Sequence, residues 1–317
     1  AENVINKIEI YIKKTDFYTS LNGCTPIEKE IKGDWRNNIC FIADDEDNNI
    51  HQMQADYIAT YVDTNINQLN VYKVYLDAYT QINGASGTSY PDVNRLINKY
   101  VTEGALMINY TGHGGETGWT GEKVLQISDI QKWTNLYNLP IFITASCEFS
   151  RYDDPDRISA GEYILINEKG GGIALYTTSR LAFSNTNFGL NKSMCKFAFE
   201  NENGHYHRLG DIIRLAKIDN GSIPNNRNFI LLGDPALKLS IPENSVKTTH
   251  INGLPESSAT DTLKALNKIT INGIITNYDG GKLSNFNGKI YPTVYDKKYT
   301  TTTLSNDQTF PPFIFKQ

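Results

Sequence analysis

Two residues of this chain combine reactive side chains with positions at the ends of apolar runs. The stretch ALMINYTGHGGETGW (105–119) passes from a strand-like run into a Gly-His-Gly-Gly turn and delivers His113. The stretch PIFITASC (140–147) does the same for Cys147. A thiol is a weak nucleophile until it loses its proton, and a neighbouring imidazole supplies the base or the imidazolium that stabilises thiolate. Glycines at 112, 114 and 115 permit a tight turn and leave N–H groups beside the histidine that could hold the oxyanion of a tetrahedral intermediate. In such an arrangement the glycines would shape an oxyanion site and the histidine would act on the thiol next door. A turn histidine and a buried small hydrophobe are the plain alternatives for the two residues taken singly.

Bringing two such residues together requires a scaffold whose strands all end on one side. From Asn37 onward apolar runs alternate with segments of helical period. Strands are expected at 39–44, 71–77, 105–110, 140–147 and 172–178, with a further one in NFILLGDPALKLSI. Helices are expected between them. One carries Met53, Tyr57, Ile58, Tyr61 and Val62 on a single face, and one opens at Ser89-Pro91 and carries Val93, Leu96, Ile97, Tyr100 and Val101. A short helix capped by Ser128 follows, then one closed by Gly170 and two near 188–200 and 208–218. The strands are continuously apolar, which is the pattern of a sheet buried on both faces. This predicts an α/β fold with a mostly parallel sheet covered by helices on both faces, whose strand C-termini line one crevice. Beyond Pro242 the texture changes to short β-rich stretches separated by Asn-Gly and Gly-Gly turns. The expected division is 1–242 for the α/β domain and 243–317 for a small all-β sandwich of immunoglobulin type.

Composition narrows the function classes. Of 317 residues, 39% are hydrophobic and 21% charged, as in ordinary globular proteins, and the net charge is -5. No basic field is present, so nucleic acid is not an expected partner. No apolar run approaches the roughly 18 residues of a membrane span. The chain begins without Met in AENVINKIEIYIKK, where Val4, Ile8 and Ile12 already have helical spacing, and it stops at PPFIFKQ as if inside a strand. It reads as a fragment of a longer protein. Cys24, Cys40, Cys147 and Cys195 are widely spaced, so neither a CxxC site nor a disulfide framework is expected.

INYTGHGGETGW resembles the histidine motif of the gingipain-type cysteine peptidases, whose fold is similar to that of caspases. FITASCEFSRYDDP resembles the nucleophile segment of one branch of that family, the sortases of the bacterial type IX secretion system (PorU-type). FILLGDPALKL is similar to the segment that closes the family's peptidase domain. The resemblance covers roughly 1–240, with the motifs in family order, and the β-rich tail matches the immunoglobulin-like module that follows the family's peptidase domain. It implies Cys147 as nucleophile, His113 as general base and the backbone N–H of Gly114 as part of the oxyanion hole. It also implies an acidic residue that orients the histidine. In ADDED the gap-free count favours Glu46, with Asp44 or Asp45 as alternatives, beside the plain reading of a solvated acidic loop.

Arginine-specific gingipains read their substrate with an Asp in the region of Asn48 and Asn49; an amide at Asn49 as a substrate contact would not pair with a guanidinium. Trp119 is a candidate wall of the substrate pocket, with core packing as the alternative. RYDDPDR (151–157) is expected to form a local salt-bridge network, the alternative being oxygen ligands of a structural calcium. Asp234 is expected to be a turn or cap residue. No cofactor is expected to be required. The resemblance implies partners: secreted proteins with C-terminal signal domains, other secretion-system components and lipopolysaccharide as acceptor. It implies an exported protein at the bacterial outer membrane surface. Two rivals remain, a secreted gingipain-like hydrolase and an idle scaffold that binds cargo.

Overall fold

The computed structural model describes residues 1–13, 16–18, 27–29, 33–85, 87–258, 263, 266–288, 290, 294–306 and 312–317. Compactness divides them into two units, one of 1–200, 206–240 and 296–317, the other of 201–205 and 241–295.

The first unit is built on a six-stranded sheet: β1 (Asn38–Ala43), β2 (Asn70–Tyr75), β3 (Met107–Thr111), β4 (Ile141–Ala145), β5 (Ala174–Thr178) and β6 (Phe229–Leu232). The order across the sheet is β6-β5-β4-β3-β1-β2. All neighbours run parallel except β6, which is antiparallel to β5. The helices are α1 (Glu2–Lys13), α2 (Ile50–Asn65), α3 (Pro91–Glu103), α4 (Ile127–Ile130), α5 (Ala160–Ile166), α6 (Ser184–Phe199) and α7 (Leu209–Asp219).

Strands β3, β4 and β5 are buried at every position, which is why they read as unbroken apolar runs. Alternate residues serve opposite faces. Cys40, Ile42, Ile108, Tyr110, Phe142 and Leu175 join one core with Val93, Ile97 and Val101 of α3 and Ile164 of α5. On the other face α2 packs against β1, β2 and β3, and α6 against β4. The mostly parallel sheet with helices on both faces is thus as expected.

Two buried amides tie that second face together. Asn109 Nδ2 donates to Asn191 Oδ1 at 2.7 Å, and Asn191 Nδ2 donates back to Asn109 Oδ1 at 2.9 Å. Both residues are fully buried. Asn109→Leu removes both of these bonds and leaves the Asn191 Nδ2 only its longer bond to Thr111 Oγ1 at 3.3 Å, so a loss of about 1–3 kcal/mol is expected. Chemical denaturation measures it, and adding Asn191→Leu to the same chain should recover part of the loss.

Several local expectations shift. In α2 the buried face is Ala55, Ile58, Ala59 and Val62, while Met53 and Tyr57 are exposed. Small alanines admit the close approach of helix to sheet, and the larger side chains are left outside. Pro91 does open α3, but its N-cap is Tyr90 with no side-chain bond. The cap of α4 is Gln126, in a reciprocal box with Asp129, not Ser128. Helix α5 is capped by Ser159 with Glu162 and ends at Ile166, before Gly170. Asp234 turns the chain as expected, its Oδ1 accepting from Ala236 N at 2.8 Å.

The second unit holds, among the described residues, a three-stranded antiparallel sheet of Ser245–Ile251, Leu254–Pro255 and Ile271–Thr276. The last part of the expected module packs elsewhere: the hairpin Thr300–Thr302 with Ile314–Lys316 belongs to the first unit. There Phe315 lies 4.6 Å from Tyr75 between ring centroids, and Asp77 accepts from Ser305 N and Asn306 N at 3.0 and 2.7 Å. Residues 296–317 therefore leave the module that the sequence bounds at 243–317.

Candidate active site

Three adjacent parallel strands end in register. Ala43 of β1 and Ala145 of β4 both pair with Thr111 of β3. One step further stand Asp44, Gly112 and Ser146; two steps further stand Asp45, His113 and Cys147. Gly112 N still donates to Ala145 O at 3.3 Å, and Asp44 N to Thr111 O at 3.1 Å, so the ladder holds to the edge of the site. The histidine and the thiol that the sequence singles out leave neighbouring strands at the same level.

Gly112 is a packing requirement. A Cβ there would lie 2.3 Å from Asp44 Cβ and 2.6 Å from the Tyr110 hydroxyl. The space is taken by Asp44, whose Oδ2 accepts from His113 N at 2.9 Å and whose Oδ1 accepts from Asp45 N at 2.9 Å. Burial raises the Asp44 carboxyl to about 7, against the pull of the His113 N–H bond. Asp44 fixes the histidine backbone.

The imidazole itself is met by other carboxylates. His113 Nε2 is 3.1 Å from Asp47 Oδ2 and 3.4 Å from Glu46 Oε2. Glu46 is thus brought to the histidine as the count favours, but the nearer group is Asp47, which the sequence reading overlooked. Asp45 is not available: Tyr90 donates its hydroxyl proton to Asp45 Oδ2, and burial lifts that carboxyl to about 6. Asp47, Asn48 and Asn49 have φ of 55°, 59° and 61°, three successive left-handed residues. For non-glycine residues such backbone is costly, and it collects at functional loops. Asn49 ends this bend buried at the start of α2, its Oδ1 accepting from Gln52 Nε2 at 2.7 Å. Its side-chain oxygen is engaged within the first turn of the helix, and Asn48 is exposed.

His51, also unforeseen, lies against this group. Its ring meets that of His113 edge-on, with centroids 5.2 Å apart and planes at 88°. Burial pulls its pKa down to about 4, with the His113 charge acting in the same direction, so the ring is neutral at ordinary pH.

Cys147 Sγ lies within 3.3 Å of Ala182 O and accepts from Ala182 N at 3.4 Å. The next residue, Glu148, has φ 47°, a second strained position at the site. Cys40 and Cys195 are free and fully buried, and burial pushes both thiols up, Cys195 to about 12. Cys24 lies outside the described residues.

Beyond His113 the chain forms a small antiparallel sheet of Gly114–Gly115, Gly118–Trp119 and Leu125–Gln126. A Cβ on Gly114 would stand 3.1 Å from Ser146 Cβ and Oγ, so only glycine sits easily here. A cleft of about 450 Å³ opens beside His113, walled by Gly115, Thr117, Thr120, Lys123, Gln126 and Ser128 among others. Trp119 is fully buried, stacked on Tyr110 at 4.2 Å and 7° and packed against Phe149. Its indole packs into the core while the residue also lines the cleft beside His113, so the two readings meet in one side chain.

The 151–157 cluster forms ion pairs. Arg151 and Arg157 bind Glu116 at 3.0 and 3.3 Å, and Arg157 approaches Asp154 at 3.6 Å. Arg180 binds Asp153 at 2.5 Å and draws that exposed carboxyl down to about 2. Glu116 thereby ties the histidine loop to the segment that follows the thiol.

A mostly parallel α/β sheet with a histidine and a thiol at neighbouring strand ends is the plan of a caspase-like cysteine peptidase. The chain belongs to peptidase family C25, the gingipain family, which it matches over residues 1–240. Among solved structures it is similar to the Arg-specific cysteine proteinase gingipain R (RgpB), with TM-score 0.57 and 15% identity over 100% of this chain and 72% of that one. A complex of the Porphyromonas gingivalis RgpB pro- and mature domains gives TM-score 0.54 and 15% identity, over 98% and 72%. Dimeric latent PorU from the same organism gives only 0.24 at 16% identity, over 88% and 37%, and carries no argument. No curated protein matches the sequence.

Proposed function

We propose that the chain is a cysteine peptidase that works by acyl transfer. The carrying observation is the common register that sets His113 and Cys147 two residues past the paired Thr111 and Ala145. In this reading Cys147 attacks a peptide carbonyl, and His113 takes the thiol proton and returns it to the leaving amine. Backbone N–H groups around Gly114 and Cys147 receive the oxyanion. Asp47 orients the imidazole, with Glu46 beside it. Asp47→Asn is expected to lower kcat/KM about 10- to 100-fold, and Glu46→Gln less, since Asp47 is the closer; steady-state kinetics on a peptide ester rank them.

Intact-mass analysis with a substrate-like electrophile tests the reading. A fast adduct is expected on Cys147, forming well below about pH 8.5 and slowed in His113→Ala. Cys40 and Cys195 should stay unlabelled because they are buried, and any adduct on Cys24 should form at the rate of a free thiol and ignore His113. Reaction of Cys147 at the rate of a free thiol, indifferent to His113, would sink it.

The finer assignment rests on FITASCEFSRYDDP, which resembles the sortase branch. On that reading an amine on a surface lipid or polysaccharide resolves the thioester, with lipopolysaccharide as acceptor. The cargo is then secreted proteins freed of C-terminal signal domains, and the enzyme acts outside the cell at the outer membrane with other secretion components. The 241–295 unit would be the start of an immunoglobulin-like module. No helix among the described residues is long and apolar enough to cross a membrane. The rival is a gingipain-like hydrolase with water as acceptor. Mass analysis of products formed with an added amine separates the two: the amine is incorporated by a transferase and ignored by a hydrolase.

A further inference from the structure

We propose that Asp44, His51 and His113 form a binding site for a divalent cation of the zinc type, and that its occupancy withdraws His113 from the thiol. Each of the three side chains offers one ligand atom, and those atoms all lie within 4.8 Å of one another. Tetrahedral zinc with nitrogen and oxygen ligands at about 2.0–2.2 Å has its ligand atoms about 3.3–3.5 Å apart, so the trio must contract by at most about 1.5 Å. The side chain of His113 is 45% exposed, so packing does not lock the ring in place.

His51 is the observation that points to a ligand. It is 5% exposed, yet neither ring nitrogen has a hydrogen-bond partner. A buried imidazole ordinarily satisfies both its N–H and its lone pair. Here Nε2 comes only to 3.4 Å from Asp47 Oδ2, without hydrogen-bond alignment. Asp47 Oδ2 is also 3.1 Å from His113 Nε2, which places a fourth donor at hand. Asp44 accepts one backbone N–H on each oxygen, which holds the carboxylate in place and leaves lone pairs free.

The donor set decides the class of ion. Two imidazoles with a carboxylate suit Zn²⁺ and its first-row neighbours, whereas Ca²⁺ takes six to eight oxygens. An imidazole lone pair that binds a cation cannot accept the thiol proton. Binding stands on the geometry alone; the consequence for activity rests on the peptidase reading above.

Calorimetric titration of the full chain with Zn²⁺, and the visible spectrum with Co²⁺, test the site on wild type, Cys147→Ala, His51→Gln and Asp44→Asn. Wild type and Cys147→Ala should each bind one equivalent with the same affinity, unmoved by Ca²⁺. His51→Gln and Asp44→Asn should each bind about 10-fold or more weakly, with thermal melts confirming that both are folded. The Zn²⁺ concentration that halves peptide cleavage should rise by the same factor in His51→Gln. Binding lost in Cys147→Ala but kept in His51→Gln would put the cation on the thiol and overturn the assignment, as would no binding to wild type. Electrophile labelling of Cys147 without metal reports on the peptidase reading separately, so the two can fail independently.

Discussion

Alanine in place of Cys147 is expected to lower peptide-bond cleavage by about 10⁴-fold or more, because no other thiol among the described residues stands beside His113 to form the thioester. Cys40 and Cys195 cannot stand in, being buried with thiols that burial keeps protonated. His113→Ala should cost nearly as much, about 10³-fold or more, since the thiol then lacks its proton acceptor. The neighbouring His51 does not replace it, for burial holds that ring to a pKa of about 4 and makes it a poor base. The double variant should be little worse than Cys147→Ala alone, because groups that act as a unit are not additive. Single-turnover cleavage of a fluorogenic peptide measures all three. Full activity in Cys147→Ala would end the catalytic reading and favour a cargo-binding scaffold. Multiplying losses would mean that the two residues act on separate steps.

The pair was legible in the sequence because its signals are local. Unbroken apolar runs mark strands buried on both faces, a parallel sheet sends their ends to one edge, and a reactive residue just past each run must lie there. Asp47 and His51 were not legible. Their approach to His113 depends on three successive left-handed residues, Asp47 to Asn49, none of them glycine, and this bend has no strong sequence signature. The acidic run also hid its own division of labour. Asp44 holds a backbone N–H, Asp45 is taken by Tyr90, and only Glu46 and Asp47 reach the ring. Spacing cannot separate four neighbouring carboxylates, whereas burial does. The end of the chain misled for a different reason. Thr300–Thr302 and Ile314–Lys316 pair as a short β hairpin, but Phe315, Ser305 and Asn306 meet Tyr75 and Asp77, contacts more than 220 residues away in sequence that no local pattern reveals.

Trp119→Ala is expected to cost about 3–5 kcal/mol, the range for removing a large aromatic from a packed core. At about 2–4 °C per kcal/mol for a domain of this size, the melting temperature should fall by roughly 6–20 °C. The indole fills the space between Tyr110 of β3 and Phe149, just past the thiol, and its backbone pairs with Gly114. Its removal should therefore loosen the hairpin that carries the proposed oxyanion donor, so that kcat falls along with stability while KM changes little. A substrate wall predicts the reverse, a raised KM with an unchanged melting temperature. Trp119→Phe sharpens the test. The indole Nε1 is buried without a hydrogen-bond partner, so phenylalanine gives up volume but also removes an unsatisfied donor. Its cost should stay below about 2 kcal/mol, with kcat close to wild type. If phenylalanine proves as damaging as alanine, Nε1 has a partner in the working enzyme, and a buried water bridging it to the cleft beside His113 is then the arrangement to look for.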